Sequence, residues 1–197
     1  NFNLPLLATS PREFWQRWHM SLVTWLRDYL YIPLGGSRQG GWKTLRNIMI
    51  TIFLSGFWHG AAWNFILWGI YQGILVCLNH LWFMLKHITP PKASVQRVLT
   101  VKKIIQIVLF FQLIAYSFML FRAVSLPQIV SFTKTILVDF SFHTSAHFSL
   151  PVVTLLSIPL LLGLEVFQYV TNTPNFYRQW PLPLRALLYT VLFFLLM

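Results

Sequence analysis

His19 and His59 each directly follow a tryptophan in an aromatic-rich stretch over residues 11–61. An imidazole titrates near pH 6.5 in water, so it can accept a proton at neutral pH and act as a general base. His59 lies between two apolar segments, 45–58 and 63–85, and an ionisable group at hydrocarbon depth is costly enough to be a functional candidate by default. The competing reading is a neutral histidine that makes one helix-packing hydrogen bond. His19 has more polar neighbours, so a structural hydrogen bond or an interfacial position competes with chemistry there. Two imidazoles without a nearby carboxylate or cysteine pattern make a weak zinc site.

Other side chains in the stretch read as support. Arg17, Arg27 and Asp28 can form a charged network around the histidines, since buried charges need partners, or can anchor the chain at the membrane interface. Ser21 and Ser55 carry hydroxyls, but neither sits in a nucleophile elbow, and bonding to helix carbonyls is the simpler role. His80, His87, His143 and His147 read as surface or interface residues. Glu165, inside an apolar run, reads as a packing residue with a relay role as the alternative.

The elements that must carry these residues follow from composition and punctuation. Of the 197 residues, 56% are apolar, 17% aromatic and 10% charged. Soluble domains carry about 25% charged residues, so the expectation is an all-α, polytopic membrane protein. The net charge of +11 sits in short segments between apolar runs, where it reads as topology signal and lipid contact rather than a nucleic-acid surface. Cys77 is the single cysteine, which excludes a disulfide or a cysteine metal site within the chain. The sequence begins at a polar NFNLP segment and stops inside an apolar run that starts at Ala186. The expectation is a carboxyl-terminal piece of a longer protein, active only at full length.

Ser10 and Pro11 form an N-cap and first-position pair, with Glu13 placed to reach back, so a helix is predicted from Pro11. Its continuation is amphipathic, and on a helical wheel His19 borders the aromatic face with Trp15, Leu22 and Leu26. Pro33, Gly35, Gly36, Gly40 and Gly41 mark a turn that closes this 11–36 unit. Segment 45–58 is too short for a complete span, which needs roughly 20 residues, and predicts a buried or re-entrant helix before the span at 63–85. One straight helix over 45–85 is the alternative. Gly56 and Gly60 allow close backbone approach or a local break. Further spans are predicted at 104–124 and 148–170, kinked at Pro151 and Pro159, with a truncated one at 186–197. Pro90 and Pro91 end helical structure between the 63–85 and 104–124 runs. Basic segments 38–46, 86–103 and 171–185 place those loops in the cytoplasm, and the nearly neutral 125–147 loop opposite.

The motifs FWQRWHMSLVTWLRDYLYIPLGG and FLSGFWHGAAWNFILWG strongly resemble blocks of the membrane-bound O-acyltransferases. They are most similar to the branch that includes the alginate O-acetylation membrane protein and the D-alanyl transfer protein of teichoic acid modification. The resemblance implies that His59 is the catalytic histidine and His19 the second, upstream histidine. It implies a central pore with an acyl donor, acetyl-CoA or another activated carrier, entering from the cytoplasm. No bound cofactor is implied. Trp58 and Trp18 would wall the cavity and exclude water, with Arg17, Arg27, Asp28 and Ser55 as cavity or supporting residues. The PLGG turn is more similar to the polysaccharide-acetylating side of the branch. That implies a bacterial inner-membrane protein with membrane lipids, periplasmic acetyltransferase-type proteins and a polysaccharide acceptor as partners. The alternatives are D-alanyl transfer to teichoic acid and a transporter or assembly protein.

Overall fold

The computed structural model describes residues 1–89, 99–139, 152–171, 173, 176–186 and 190. Its α-helices are α1 (Pro11–Trp15), α2 (Met20–Leu26), α3 (Gly41–Trp58), α4 (Trp63–Leu85), α5 (Val101–Arg122), α6 (Leu126–Leu137) and α7 (Val152–Thr171). The chain forms two compact units: Asn1–Ser94 with Thr100–Phe140, which holds α1 to α6, and Val95–Leu99 with Ser141–Met197, which holds α7. Both histidines of interest belong to the first unit.

The start of α1 follows from its cap. The Ser10 hydroxyl accepts the Glu13 N–H at 3.3 Å, while the Glu13 carboxylate accepts both the backbone N–H and the hydroxyl of Thr9 at 2.8 Å. The predicted continuous amphipathic helix is nevertheless interrupted. His19 takes left-handed backbone angles, φ 45° and ψ 49°, so α1 and α2 are separate helices and a single wheel does not place His19. The break is tied by the preceding segment: Asn3 N–H donates to the Arg17 carbonyl at 2.8 Å, and Met20 N–H to the Asn1 carbonyl at 2.9 Å. A π-helical turn, Arg27–Tyr31, extends α2 into the glycine turn. Gly36 sits there at φ +54°, and its carbonyl accepts the side-chain amide of fully buried Asn47 on α3 at 3.0 Å.

Helices α3 and α4 form an antiparallel hairpin. The contact sequence shows it: Gly41 meets Met84, Leu45 meets Cys77, Met49 meets Gly73 and Gly56 meets Gly69. A straight helix over 45–85 is thereby ruled out, because the chain turns at His59 to Ala62, with Gly60 at φ +146°. Gly56 supplies the close approach. A Cβ there would lie 2.5 Å from the Phe65 carbonyl oxygen and 2.9 Å from the Gly69 Cα.

Helix α5 starts at Val101, where the Thr100 hydroxyl caps it by accepting the Lys103 N–H. It docks on α4 through Asn64, whose amide donates to the Phe121 carbonyl at 2.8 Å, and Tyr71, whose hydroxyl donates to the Leu113 carbonyl at 3.1 Å. The 125–147 region, read from sequence as a loop, contains α6. Its Ser125 hydroxyl accepts the Gln128 N–H, Pro127 fits the first turn, and Ile129 is buried against Trp68, Leu120 and Ala123. A second core joins Ala8 and Phe14 to Phe110 and Ile114. Burying a side chain such as Phe14 contributes about 1.5–3 kcal/mol.

Among the described residues, α4 with 23 residues and α5 with 22 are long and apolar enough to cross a membrane. On α4 the large apolar residues Ile70, Ile74, Leu78 and Trp82 recur every fourth position and are all exposed. Among the described residues that stripe has no protein cover, as expected of a face that meets lipid. Lys86 lies 4.7 Å from the Trp82 ring centroid at the end of the helix, where such pairs anchor spans at the interface. In the second unit α7 runs through Pro159 without a break in helix assignment. His143, His147, Pro90, Pro91, Pro151 and residues 191–197 of the expected last span lie outside the described residues.

Candidate active site

His59 caps α3. Its N–H donates to the Gly56 carbonyl at 3.1 Å, and Gly60 then turns the chain into α4. The imidazole is ringed by aromatics: Trp58 at 4.9 Å, Phe121 at 4.9 Å, Trp68 at 5.6 Å and Phe65 at 5.9 Å between centroids. Trp68 and Phe121 present near-perpendicular rings, at 88° and 86°, which fix the imidazole from two sides. Among the described residues no side chain or carbonyl hydrogen-bonds its nitrogens, so the helix-packing hydrogen bond considered from sequence is absent. His59 lies in the α3–α4 connection, outside both membrane-length helices. Burial, and after it the charge of His19, lower its pKa from the ordinary 6.5. A histidine so placed is neutral at physiological pH and ready to accept a proton.

His19 reaches the same place from the α1–α2 break. A left-handed backbone costs a non-glycine residue about 1–3 kcal/mol, though histidine tolerates it better than most. Its Nδ1 lies 3.5 Å from the Asn1 side-chain nitrogen, and Asn1 Oδ1 accepts both the N–H and the hydroxyl of Ser21. His19 and His59 line one cavity of about 170 Å³ with Ser55, Trp15, Trp18 and Trp68. The two histidines supply two nitrogen donors, and among the described residues no group of three His, Cys, Asp or Glu forms.

A second cavity of about 230 Å³ adjoins it, sharing Trp15 and Ser55 as wall residues. Its lining is otherwise largely apolar, with Val23, Leu26, Ile48 and Val76, and includes Arg12 and Arg27. Trp15 and Ser55 therefore contribute to the walls of both spaces. The Trp15 indole N–H donates to Gln72 at 3.3 Å, and the Gln72 amide donates to Ser117 at 2.9 Å. Gln72 is 1% exposed, so this polar bridge is sealed between α1, α4 and α5.

The remaining residues singled out from sequence divide. Trp18 lines the histidine cavity and stacks on Phe14 at 5.5 Å, whereas Trp58 covers His59 while remaining largely exposed. Arg17 pairs with Glu13 and donates to the Leu4 carbonyl. Arg27 pairs with Asp28 at the surface, so these charges form two separate pairs rather than one network. Ser55, expected to bond a helix carbonyl, has a buried hydroxyl oxygen without a hydrogen-bond partner among the described residues. Trp15, Trp68 and Phe121 were not singled out. Helical spacing makes such aromatics look like ordinary core; the usable signal was the four-residue step from Ser55 to His59 on one helix face.

Residues 1–122 match the sequence profile of MBOAT, the membrane-bound O-acyltransferase family. The chain belongs to that family. Both histidines, both cavities and both membrane-length helices of this MBOAT chain fall inside the matched region. It is 53% identical over 79 residues to a probable alginate O-acetylase of Azotobacter vinelandii, covering 40% of this chain and 16% of the relative. It is 35% identical over 134 residues to a peptidoglycan O-acetyltransferase of Helicobacter pylori, covering 68% of this chain and 24% of the relative. Over 93 residues it is 38% identical to a teichoic acid D-alanyltransferase of Streptococcus thermophilus, covering 44% and 22%. The matches thus span about a sixth to a quarter of the length of these relatives.

Proposed function

We propose that the full-length protein is an O-acyltransferase of the bacterial inner membrane, which moves acetyl groups from a cytoplasmic activated donor to hydroxyls of an exopolysaccharide. Acetyl-CoA or another acyl carrier supplies the group, and periplasmic acetyltransferase-type proteins pass it to the polymer. The observation that carries this reading is the shared cavity of His19 and His59. His59 takes the proton of an acceptor hydroxyl, whose oxygen attacks the acyl carbonyl carbon. His19 orients a substrate or steadies developing charge. The aromatic walls exclude water and so protect the activated acyl group from hydrolysis.

Mass spectrometry of cell-surface polymers, with and without the full-length protein, tests the reading. Acetyl esters on an exopolysaccharide that vanish in the deletion support it. Loss confined to peptidoglycan acetate moves the acceptor, loss of D-alanine moves the acyl group, and an unchanged set of esters rejects the proposal.

A further inference from the structure

Two residues that line the histidine cavity carry buried polar atoms without a hydrogen-bond partner among the described residues: the hydroxyl oxygen of Ser55 and the indole nitrogen of Trp68. Ser55 is 1% and Trp68 5% exposed, and both line the cavity with His59. The other buried hydroxyls in these helices bond a carbonyl three or four residues back, as Thr44, Thr51 and Ser117 do. Trp15, in the same wall, has its indole N–H satisfied by Gln72. A buried donor left unmade is destabilising, and its persistence calls for a partner that arrives with a ligand.

Position says which ligand atom. Ser55 and His59 are four residues apart, so they share one side of α3. The Trp68 ring stands perpendicular to the imidazole at 5.6 Å. Two neutral donors beside a general base suit a carbonyl oxygen, which becomes negative as the base takes the proton of the attacking hydroxyl. We propose that the Ser55 hydroxyl and the Trp68 indole N–H donate hydrogen bonds to the acyl carbonyl oxygen and stabilise the charge that develops on it.

This rests on the acyl-transfer reading of the cavity. For an acyl thioester, the acceptor oxygen bonds to the carbonyl carbon, its proton passes to His59, and the carbonyl π pair moves onto the oxygen held by the two donors. Collapse re-forms the C=O bond and breaks the C–S bond. His59 returns the proton to the departing thiolate, which leaves an ester and a thiol. Ser55 and Trp68 neither gain nor lose a proton.

The test uses Ser55→Ala, Trp68→Phe and His59→Ala in the full-length protein. It reads the initial rate of ester formation on cell-surface polymer per mole of membrane-inserted protein, and the melting temperature of each purified variant. Ser55→Ala and Trp68→Phe should each lower the rate by about 10²–10³-fold, the usual effect of removing one oxyanion donor. The melting temperature of Ser55→Ala should hold or rise, because an unpaired buried donor is gone. Rates within twofold of wild type in both donor variants, with His59→Ala inactive, overturn the donor assignment alone. Rate losses in both that only parallel a fall in melting temperature make the pair structural and overturn it as well. An acyl group trapped on Ser55 makes that hydroxyl a nucleophile and has the same effect. Full activity in His59→Ala removes the acyl-transfer reading and this inference together.

Discussion

His19 and His59 line one cavity, and the charge of the first depresses the pKa of the second. The larger cause of the depression is burial, which persists when His19 is changed. The acid limb of kcat/KM, which reports the free base, should therefore lie below pH 6.5 in the wild-type protein. In His19→Gln the coulombic contribution of His19 is removed and burial remains, so the limb should move upward and still stay below 6.5. A pH–rate series on the two full-length proteins checks this. A limb that moves downward, or does not move, contradicts the coupling.

The hairpin that presents His59 depends on glycine by degrees. A Cβ on Gly56 meets the α4 backbone at 2.5 Å, one on Gly69 meets the α3 backbone at 3.1 Å, and one on Gly73 meets only the flexible Met49 side chain. Alanine at Gly56 should therefore cost about 1–3 kcal/mol as overpacking, alanine at Gly69 less, and alanine at Gly73 least. Thermal unfolding of the full-length variants in detergent gives the order. Equal melting temperatures would mean that α3 and α4 do not cross at these residues.

Gln72 should matter through Trp15. Gln72→Leu leaves the Trp15 indole N–H without its acceptor, at a cost of about 1–3 kcal/mol, and takes from Ser117 the amide it accepts, while the Ser117 hydroxyl keeps its bond to the Ile114 carbonyl. The wall that Trp15 contributes to both cavities loosens, so acyl transfer should fall and hydrolysis of the donor should rise. Measuring both products in one assay separates this from simple loss of protein, which lowers them in parallel.

Much of this arrangement could be read from the chain because its signals are local. The Ser10, Pro11 and Glu13 cap begins α1, and Gly60 turns the chain beside His59. What could not be read depends on distant partners. The left-handed backbone at His19 is held by Asn1 and Asn3, which local periodicity does not register. Helix α6 was missed although Ser125, Pro127 and Gln128 announce it, because its apolar face became legible only against Trp68 and Leu120. Ser55 looked like a hydroxyl that any helix carbonyl would satisfy, and only its surroundings show that none does. The tryptophans of the cavity wall have the same spacing as packing residues, and two of them, Trp15 and Trp68, differ from core only in standing beside an imidazole.

The central claim is that His59 is the proton acceptor in acyl transfer. Its most direct measurement is the acyl-ester content of cell-surface polymer in cells that carry His59→Ala in the full-length protein, with abundance and membrane insertion matched to wild type. Removal of a general base should lower the rate by at least about 10²–10⁴-fold, which brings the ester content to the level of a deletion strain. Ester content equal to wild type would contradict the account.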